Sequence, residues 1–310
     1  MIVSAPRALQ TQKRILIIGG TKFIGPHVVR ELTELCHSVT VYHRGQSEAA
    51  LPPSVRHVRR PEAAMPVRQF PNEVLTPSPD VVIHMIAMGE GDSRAGLAAF
   101  RGRVERMVWL SSGDVYLAYG RFTGLEPGPL DNRPLTEASP LRRVLYPYRA
   151  KSKSPDDLSH YYEKILVERI ALSDSQTPGT ILRLPKVYGP GGNADLATIY
   201  GFRNHSQWRW THGYVENVAA AIVLAALHPA AVGQIYNVGE AYTPTIAERL
   251  ANLPPSSMPV SEIPANFDQH IVYDTSAIRN QLGYCERVPE PEALRAAAVL
   301  AQAREDAGHS

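Results

Sequence analysis

The sequence predicts an α/β chain on a doubly wound parallel sheet, with a small C-terminal lobe. Three observations carry that expectation. Runs dense in branched and long apolar residues recur at 15–18, 80–87, 106–112 and 179–184, as befits strands covered on both faces. Segments with helical spacing lie between or after them, at 23–35, 161–172, 216–227 and 290–303. The first run leads at once into Gly19-Gly20. Strands alternating with helices call for crossover connections and parallel pairing.

Residues 1–13 read as a short disordered lead. The strand Ile15-Leu16-Ile17-Ile18 then meets a turn spaced Gly19-x-x-Lys22-x-x-Gly25, two of the three glycines of a G-x-x-G-x-x-G pattern. Phe23, Ile24, Val28, Leu32 and Leu35 fall on one side of the helix that follows. Strand, glycine turn and helix in this order set backbone N–H groups and a helix N-terminus opposite a phosphate. The alternating, β-branched run Ser38-Val39-Thr40-Val41-Tyr42 is the second strand. It ends in His43-Arg44-Gly45 with no acid. A carboxylate there commonly holds the ribose hydroxyls of an adenosine, whereas arginine accommodates a 2′-phosphate. Arg44 therefore favours NADP over NAD.

The seven prolines between 46 and 79 rule out long helices there. Arg56, His57, Arg59, Arg60 and Arg68 form a basic cluster read as a solvated edge. The strands at 80–87 and 106–112 leave room for one short helix, 93–100. The Pro-, Gly- and Arg-rich stretch 117–158 reads as an ordered insertion. Helix 161–172 buries Ile165, Leu166, Ile170 and Leu172, and strand 179–184 stops at Pro185. Gly189-Pro190-Gly191-Gly192 opens a loop-rich region up to His212. An alanine-rich helix from about Tyr214 to Leu227, a strand at 234–238 and helices at 243–253 and 290–303 complete the chain.

With 310 residues the chain has room for one large domain or a core with a smaller lobe. A net charge of +2 gives no strong attraction to nucleic acid or an anionic membrane. The apolar runs are shorter than a membrane span, and 1–13 lack an apolar signal core. Cys36 and Cys285 are far apart and form no C-x-x-C pair, so they read as buried or free thiols. The 11 histidines show no H-E-x-x-H or Cys/His ligand spacing, and no metal site is expected. A cytoplasmic, reducing setting is the default.

Further pieces recur in a set order. Ile18-Gly19-Gly20-Thr21-Lys22-Phe23-Ile24-Gly25 precedes Val82-Ile83-His84-Met85-Ile86-Ala87 and Leu110-Ser111-Ser112-Gly113-Asp114-Val115-Tyr116. Pro134-Leu135-Thr136-Glu137, Tyr161-Tyr162-Glu163-Lys164 and Leu182-Arg183-Leu184-Pro185-Lys186-Val187-Tyr188-Gly189-Pro190-Gly191 follow. Gly213-Tyr214-Val215-Glu216-Asn217, Ile235-Tyr236-Asn237-Val238-Gly239 and Leu282-Gly283-Tyr284 close the series. This series, over about residues 14 to 300, resembles the extended short-chain dehydrogenase/reductase superfamily, in its NAD-dependent epimerase/dehydratase branch. Gly-Gly-Thr-Lys-Phe-Ile-Gly and His-Arg-Gly look most like the subgroup of chloroplast stem-loop-binding proteins and their bacterial relatives.

The resemblance implies a Rossmann domain that binds NAD(P), mainly 14–185, and a substrate-binding lobe, mainly 186–310, with 213–240 returning to the core. Gly19, Gly20, Thr21, Lys22, Phe23, Ile24 and Gly25 would form the pyrophosphate turn, with Lys22 in place of the middle glycine and His43 and Arg44 at the ribose. Ser112 matches the residue that hydrogen-bonds the substrate oxygen, and Asp114 the carboxylic acid of the branch's dehydratases. A Tyr-x-x-x-Lys pair is expected to move the proton and hold the nicotinamide ribose. Counting back from Lys164, position 160 is His160 and Tyr161 is only three residues away. Tyr161 on the same helix face, His160 as proton donor, or a helix offset restoring Tyr161 are the alternatives. Arg183, Arg209 and Tyr188 are the substrate-binding candidates, the arginines as forks for an anionic group. Trp208 and Trp210 form an aromatic wall or pack in the core.

The function expected is NAD(P)-dependent epimerase, dehydratase or reductase chemistry on a hydroxyl or carbonyl of a small, sugar-like substrate, in a possible homodimer. The alternative is a cofactor-binding relative that binds RNA or regulates, through the basic clusters 56–60 and 142–153.

Overall fold

The structure, a computed structural model, describes residues 11–47, 49–62, 65–154, 157–190 and 196–308, with side chains through 300. The strands are β1 (Arg14–Ile18), β2 (Ser38–His43), β3 (Arg56–Arg59), β4 (Val81–His84), β5 (Arg106–Ser112), β6 (Gly179–Leu184), β7 (Lys186–Tyr188), β8 (His212–Tyr214) and β9 (Ile235–Asn237). The helices are α1 (Ile24–Glu34), α2 (Asn72–Leu75), α3 (Glu90–Phe100), α4 (Leu117–Phe122), α5 (Leu158–Tyr161), α6 (Lys164–Ala171), α7 (Ala197–Tyr200), α8 (Val215–Leu227), α9 (Ile246–Leu250), α10 (Ser276–Leu282) and α11 (Glu290–Gly308).

Seven strands form one sheet in the order β3-β2-β1-β4-β5-β6-β9, every neighbouring pair parallel. β7 and β8 make a separate parallel pair. Alternation along β1 assigns its side chains to two layers. Ile15 and Ile17 pack with Val28, Leu32, Val218 and Ile222 of α1 and α8. Leu16 and Ile18 pack with Phe100, Val167 and Ala171 of α3 and α6. Strand order reverses between β1 and β4, which opens a crevice at the carboxyl ends of the strands. A third, aromatic cluster lies beyond β5, where Phe122 of α4 stacks on Trp208 at 4.8 Å between ring centres and Ile246, Ile271 and Tyr273 pack alongside.

Several expectations change. The basic cluster at 56–60 contains strand β3, paired to β2 from Thr40↔Arg56 to His43↔Arg59. Its apolar content is too low to announce a strand, because it lies at the sheet edge. The apolar run 80–87 is strand only over Val81–His84; beyond it the chain bends toward the crevice. Helix α3 starts three residues earlier than its apolar spacing suggests, because the buried Asp92 carboxylate accepts from the Met88 and Gly89 N–H groups. The insertion contains α4, and α10 falls in a stretch without a clear period.

The largest correction is to helix 161–172. It is broken: α5 ends at Tyr161, Tyr162 and Glu163 are extended, and α6 begins at Lys164. The Glu163 N–H donates to Met88 O at 2.8 Å, so this backbone is tied to the strand-β4 loop instead of a helix ladder. The buried Glu163 carboxylate caps α6 at the Ile165 N–H (2.9 Å) and also accepts from the Tyr146 N–H and Arg142. Gly89 permits the close approach: a Cβ there would lie 2.2 Å from Tyr161 O.

Of residues 1–13, the lead falls outside the described residues up to position 10, and Lys13 is anchored to Glu105 at 2.6 Å. Gly191 and Gly192 of the breaker cluster also lie outside the described residues. Cys36 and Cys285 are exposed free thiols. No helix is long and apolar enough to cross a membrane among the described residues.

Candidate active site

A cavity of about 750 Å³ runs along the crevice from the glycine turn to the ends of β5 and β6. Gly19 and Gly20 have φ of +95° and +88°, a region that disfavours side chains. Gly25 is required by contact instead: its Cβ would meet the Gly20 backbone at 2.3 Å. Lys22 keeps a negative φ, so the position where the pattern has a glycine accepts a lysine here. Phe23 precedes α1 at φ 51° and gives the helix no side-chain cap, and the first turn of α1 carries no acid. The Gly25 N–H is taken up by Lys22 O at 3.0 Å and Pro26 has none, so what the helix offers a phosphate here is mainly its positive dipole end. Thr21 Oγ1 lies 3.2 Å from Ser47 Oγ, which ties the turn to the loop after β2.

Gly19, Gly20, Thr21, Lys22, Phe23 and Ile24 all line the cavity, as do His43 and Arg44. Gly25 supports the turn from behind. His43 Nδ1 accepts from the Gly45 N–H at 3.1 Å and its Nε2 is 3.0 Å from His57 Nδ1 on β3. That hydrogen-bonded pair joins strands whose partnership the sequence did not reveal. The features fit a dinucleotide: a glycine turn at strained φ, an uncapped helix end and a cation at the second strand.

At the far end, Ser112, Asp114, Tyr162 and Lys164 meet in one wall. The buried Lys164 ammonium donates to Ala87 O and, at 2.9 Å, to Leu110 O, bracing the ends of β4 and β5. Two of its three donors are used. Burial pulls its pKa down against the opposing pull of Asp114, Asp92 and Glu168. The Lys164 nitrogen lies 5.4 Å from the centre of the Tyr162 ring, whose phenol faces Ser112 and Asp114. Burial and the Asp114 carboxyl push that phenol well above its ordinary value. Asp114 is itself raised by burial, with Arg142 and the tyrosines opposing the shift. Its Oδ2 accepts from Tyr148 O–H at 3.0 Å, and Tyr148 meets the Tyr119 hydroxyl at 3.2 Å.

The break between α5 and α6 thus decides which tyrosine enters. Tyr162 lines the cavity and Tyr161 does not; the Tyr161 ring lies under Arg68, 5.6 Å away, and against His160. His160 is likewise outside, with Nδ1 3.4 Å from Ser152 Oγ. The structure does not bring Tyr161 or His160 to Ser112.

Nor does it bring the substrate-binding candidates there. Arg183 is buried in a bidentate pair with Glu168 (2.7 and 3.0 Å) and donates to Tyr116 O–H and Glu137 O. Arg209 donates to Thr243 O at 2.8 Å and lies over the Tyr242 ring. Tyr188 is fully buried beside His212 and Tyr214. Trp208 packs in the core, while Trp210 lines the cavity. Sequence reasoning missed Tyr119, Tyr148, Tyr273 and Lys186 as lining residues; isolated tyrosines in an irregular insertion carry no spacing signal. No group of three or more His, Cys, Asp or Glu that could hold a metal ion occurs among the described residues.

This fold is shared with enzymes of known structure. The NAD-dependent NDP-hexosamine 5,6-dehydratase TunA, involved in tunicamycin biosynthesis, superposes with a TM-score of 0.69 at 21% identity, over 94% of this chain and 99% of that one. UDP-glucose 4-epimerase of Thermotoga maritima, solved with UDP-glucose, gives 0.67 at 19% identity over the same shares. At these identities the fold is what is shared. In sequence, the chain is 32% identical over 190 residues to 2′-dehydrokanamycin reductase of Streptomyces kanamyceticus. That match spans 59% of this chain and 45% of the length of that protein. No family model matches the chain.

Proposed function

We propose that the chain belongs to the extended short-chain dehydrogenase/reductase superfamily, in its epimerase/dehydratase branch, and is an NAD(P)-dependent enzyme acting on a hydroxyl or carbonyl of a small, sugar-like substrate. The observation that carries this is the single cavity joining the glycine turn to Ser112, Asp114, Tyr162 and Lys164. The bound dinucleotide supplies the hydride acceptor or donor. Gly19 to Ile24 and the α1 N-terminus hold its pyrophosphate, and the third Lys164 N–H is available to its nicotinamide ribose. Ser112 orients the reacting oxygen.

Tyr162 takes the proton-transfer role in place of Tyr161 or His160. Burial and Asp114 keep its phenol protonated at neutral pH without making it a stronger acid, so its place in the cavity wall, facing Ser112, is what supports the role. In that role it delivers its proton to the oxygen of a carbonyl undergoing reduction. Among epimerase, dehydratase and reductase, the name of the Streptomyces relative favours the reductase. Arg44, partly exposed at the end of β2, favours NADP. A homodimer through the neighbouring helices α3 and α6 belongs to the same reading.

The nucleic-acid alternative loses ground. Arg142, within one basic cluster, is buried with its guanidinium on backbone carbonyls and Glu163, and Arg60, within the other, pairs with Glu73.

Titration of the purified chain with NADPH and NADH, read by nicotinamide fluorescence, tests the proposal. NADPH is expected to bind more tightly, and Arg44→Ala to narrow the preference by about tenfold, some 1.4 kcal/mol. Binding of neither nucleotide would refute the cofactor assignment and the enzyme with it.

A further inference from the structure

The two ends of the cavity differ in charge. Lys22 and Arg44 stand at the turn end. Beyond Ser112 the walls are Tyr119, Tyr148, Trp210 and Tyr273, and apart from Lys164 the described lining there has one cation, Lys186. The arginines nearby are committed elsewhere: Arg142 to two carbonyls and Glu163, Arg183 to Glu168, Arg209 to Thr243 O and the Tyr242 ring. Residues 191–195, outside the described residues, contain no lysine or arginine. A diphosphate is gripped best by guanidinium forks, and this end offers none.

It offers hydroxyls, ring faces and one carboxyl group instead. Tyr119, Tyr148 and the Asp114 carboxyl form a hydrogen-bonded chain along this wall. The Tyr273 ring lies directly behind Gly113, where a Cβ would fall 1.3 Å from its oxygen, so the floor is closed. Both ends belong to one cavity of about 750 Å³, within the range of sites that take small molecules.

We propose that the second ligand is a phosphate-free hydroxylated ring the size of one sugar or cyclitol unit, and not a nucleotide sugar. Ring hydroxyls or amines pair with the hydroxyl groups of this wall, and the ring face lies on Trp210. This rests on the cavity being the reaction site proposed above.

Calorimetry on the full chain saturated with NADPH tests it with methyl α-D-glucopyranoside, D-glucosamine, myo-inositol, UDP and UDP-glucose. At least one of the first three is expected to bind, to weaken about tenfold in Trp210→Leu and to recover largely in Trp210→Phe. UDP and UDP-glucose are expected neither to bind nor to displace it. Tighter binding of UDP-glucose than of the three phosphate-free probes, or binding of none of those three, overturns the proposal. NADPH uptake, read first in the same samples, separates the failures. A chain that takes no NADPH refutes the reading of the site, whereas one that takes NADPH and then prefers UDP-glucose refutes only the substrate class.

Discussion

Tyr161 and Tyr162 are neighbours with the same side chain, yet one ring lies under Arg68 and the other faces Ser112 and Asp114. The proposed roles are correspondingly unequal. Tyr162→Phe removes the proton donor and is expected to lower kcat by about 10²–10⁴-fold, the usual range for losing a general acid. Affinity for NADPH should change little, because the phenol contributes to the reaction and not to the pyrophosphate turn. Tyr161→Phe should leave kcat within about threefold, the scale of a substitution outside the site. Steady-state kinetics beside a fluorescence titration distinguish the two. Equal losses would place the proton transfer elsewhere.

Strand β4 and helix α3 enclose a second buried group, away from the cavity. His84 is fully buried and stacks on Trp109 at 5.3 Å, and neither ring nitrogen has a hydrogen-bond partner. Burial, with a smaller push from Lys164, brings its pKa down to about 3. In the unfolded chain histidine takes up a proton near its ordinary value of about 6.5. The unfolded state therefore binds more protons between those values, and the folded state loses stability as the pH falls from about 6.5 toward 3. The loss amounts to about 1.4 kcal/mol per pH unit. His84→Phe keeps an aromatic ring against Trp109 and removes the titration. Urea unfolding of both proteins at a series of pH values should show a difference that is flat above neutrality and grows below pH ~6.5. Parallel curves would exclude this histidine as the source. The same two elements hold the helix break, since the Glu163 N–H is bonded to Met88 O just before α3.

At the scale of the molecule, the cavity brings together the β1–α1 turn, the loop after β2, the ends of β4 to β6 and distant residues such as Trp210 and Tyr273. A ligand that bridges them stabilises only the folded chain. At 100 times its dissociation constant NADPH should add about 2.7 kcal/mol, a rise in Tm of roughly 4 °C for a chain of this length. A melting curve recorded with and without NADPH checks this. An unchanged Tm at saturating nucleotide would contradict the bridging role.

The sequence by itself determined the parallel α/β sheet and the glycine turn. Each is a local matter: consecutive apolar residues demand a strand buried on both faces, and φ near +90° at Gly19 and Gly20 demands glycine. β3 remained hidden because an edge strand needs few apolar residues. Tyr162 was hidden for a different reason. Helical periodicity runs straight through 161–172, and only the long-range bonds of Glu163 to Met88, Tyr146 and Arg142 interrupt it. Arg183 was misjudged in the same way, since a fork for an anion and a fork for Glu168 have one sequence signature and differ only in what lies opposite. Tertiary structure decided which groups face the cavity. Hydrogen bonds between residues far apart in the chain select among side chains that local spacing treats as equal.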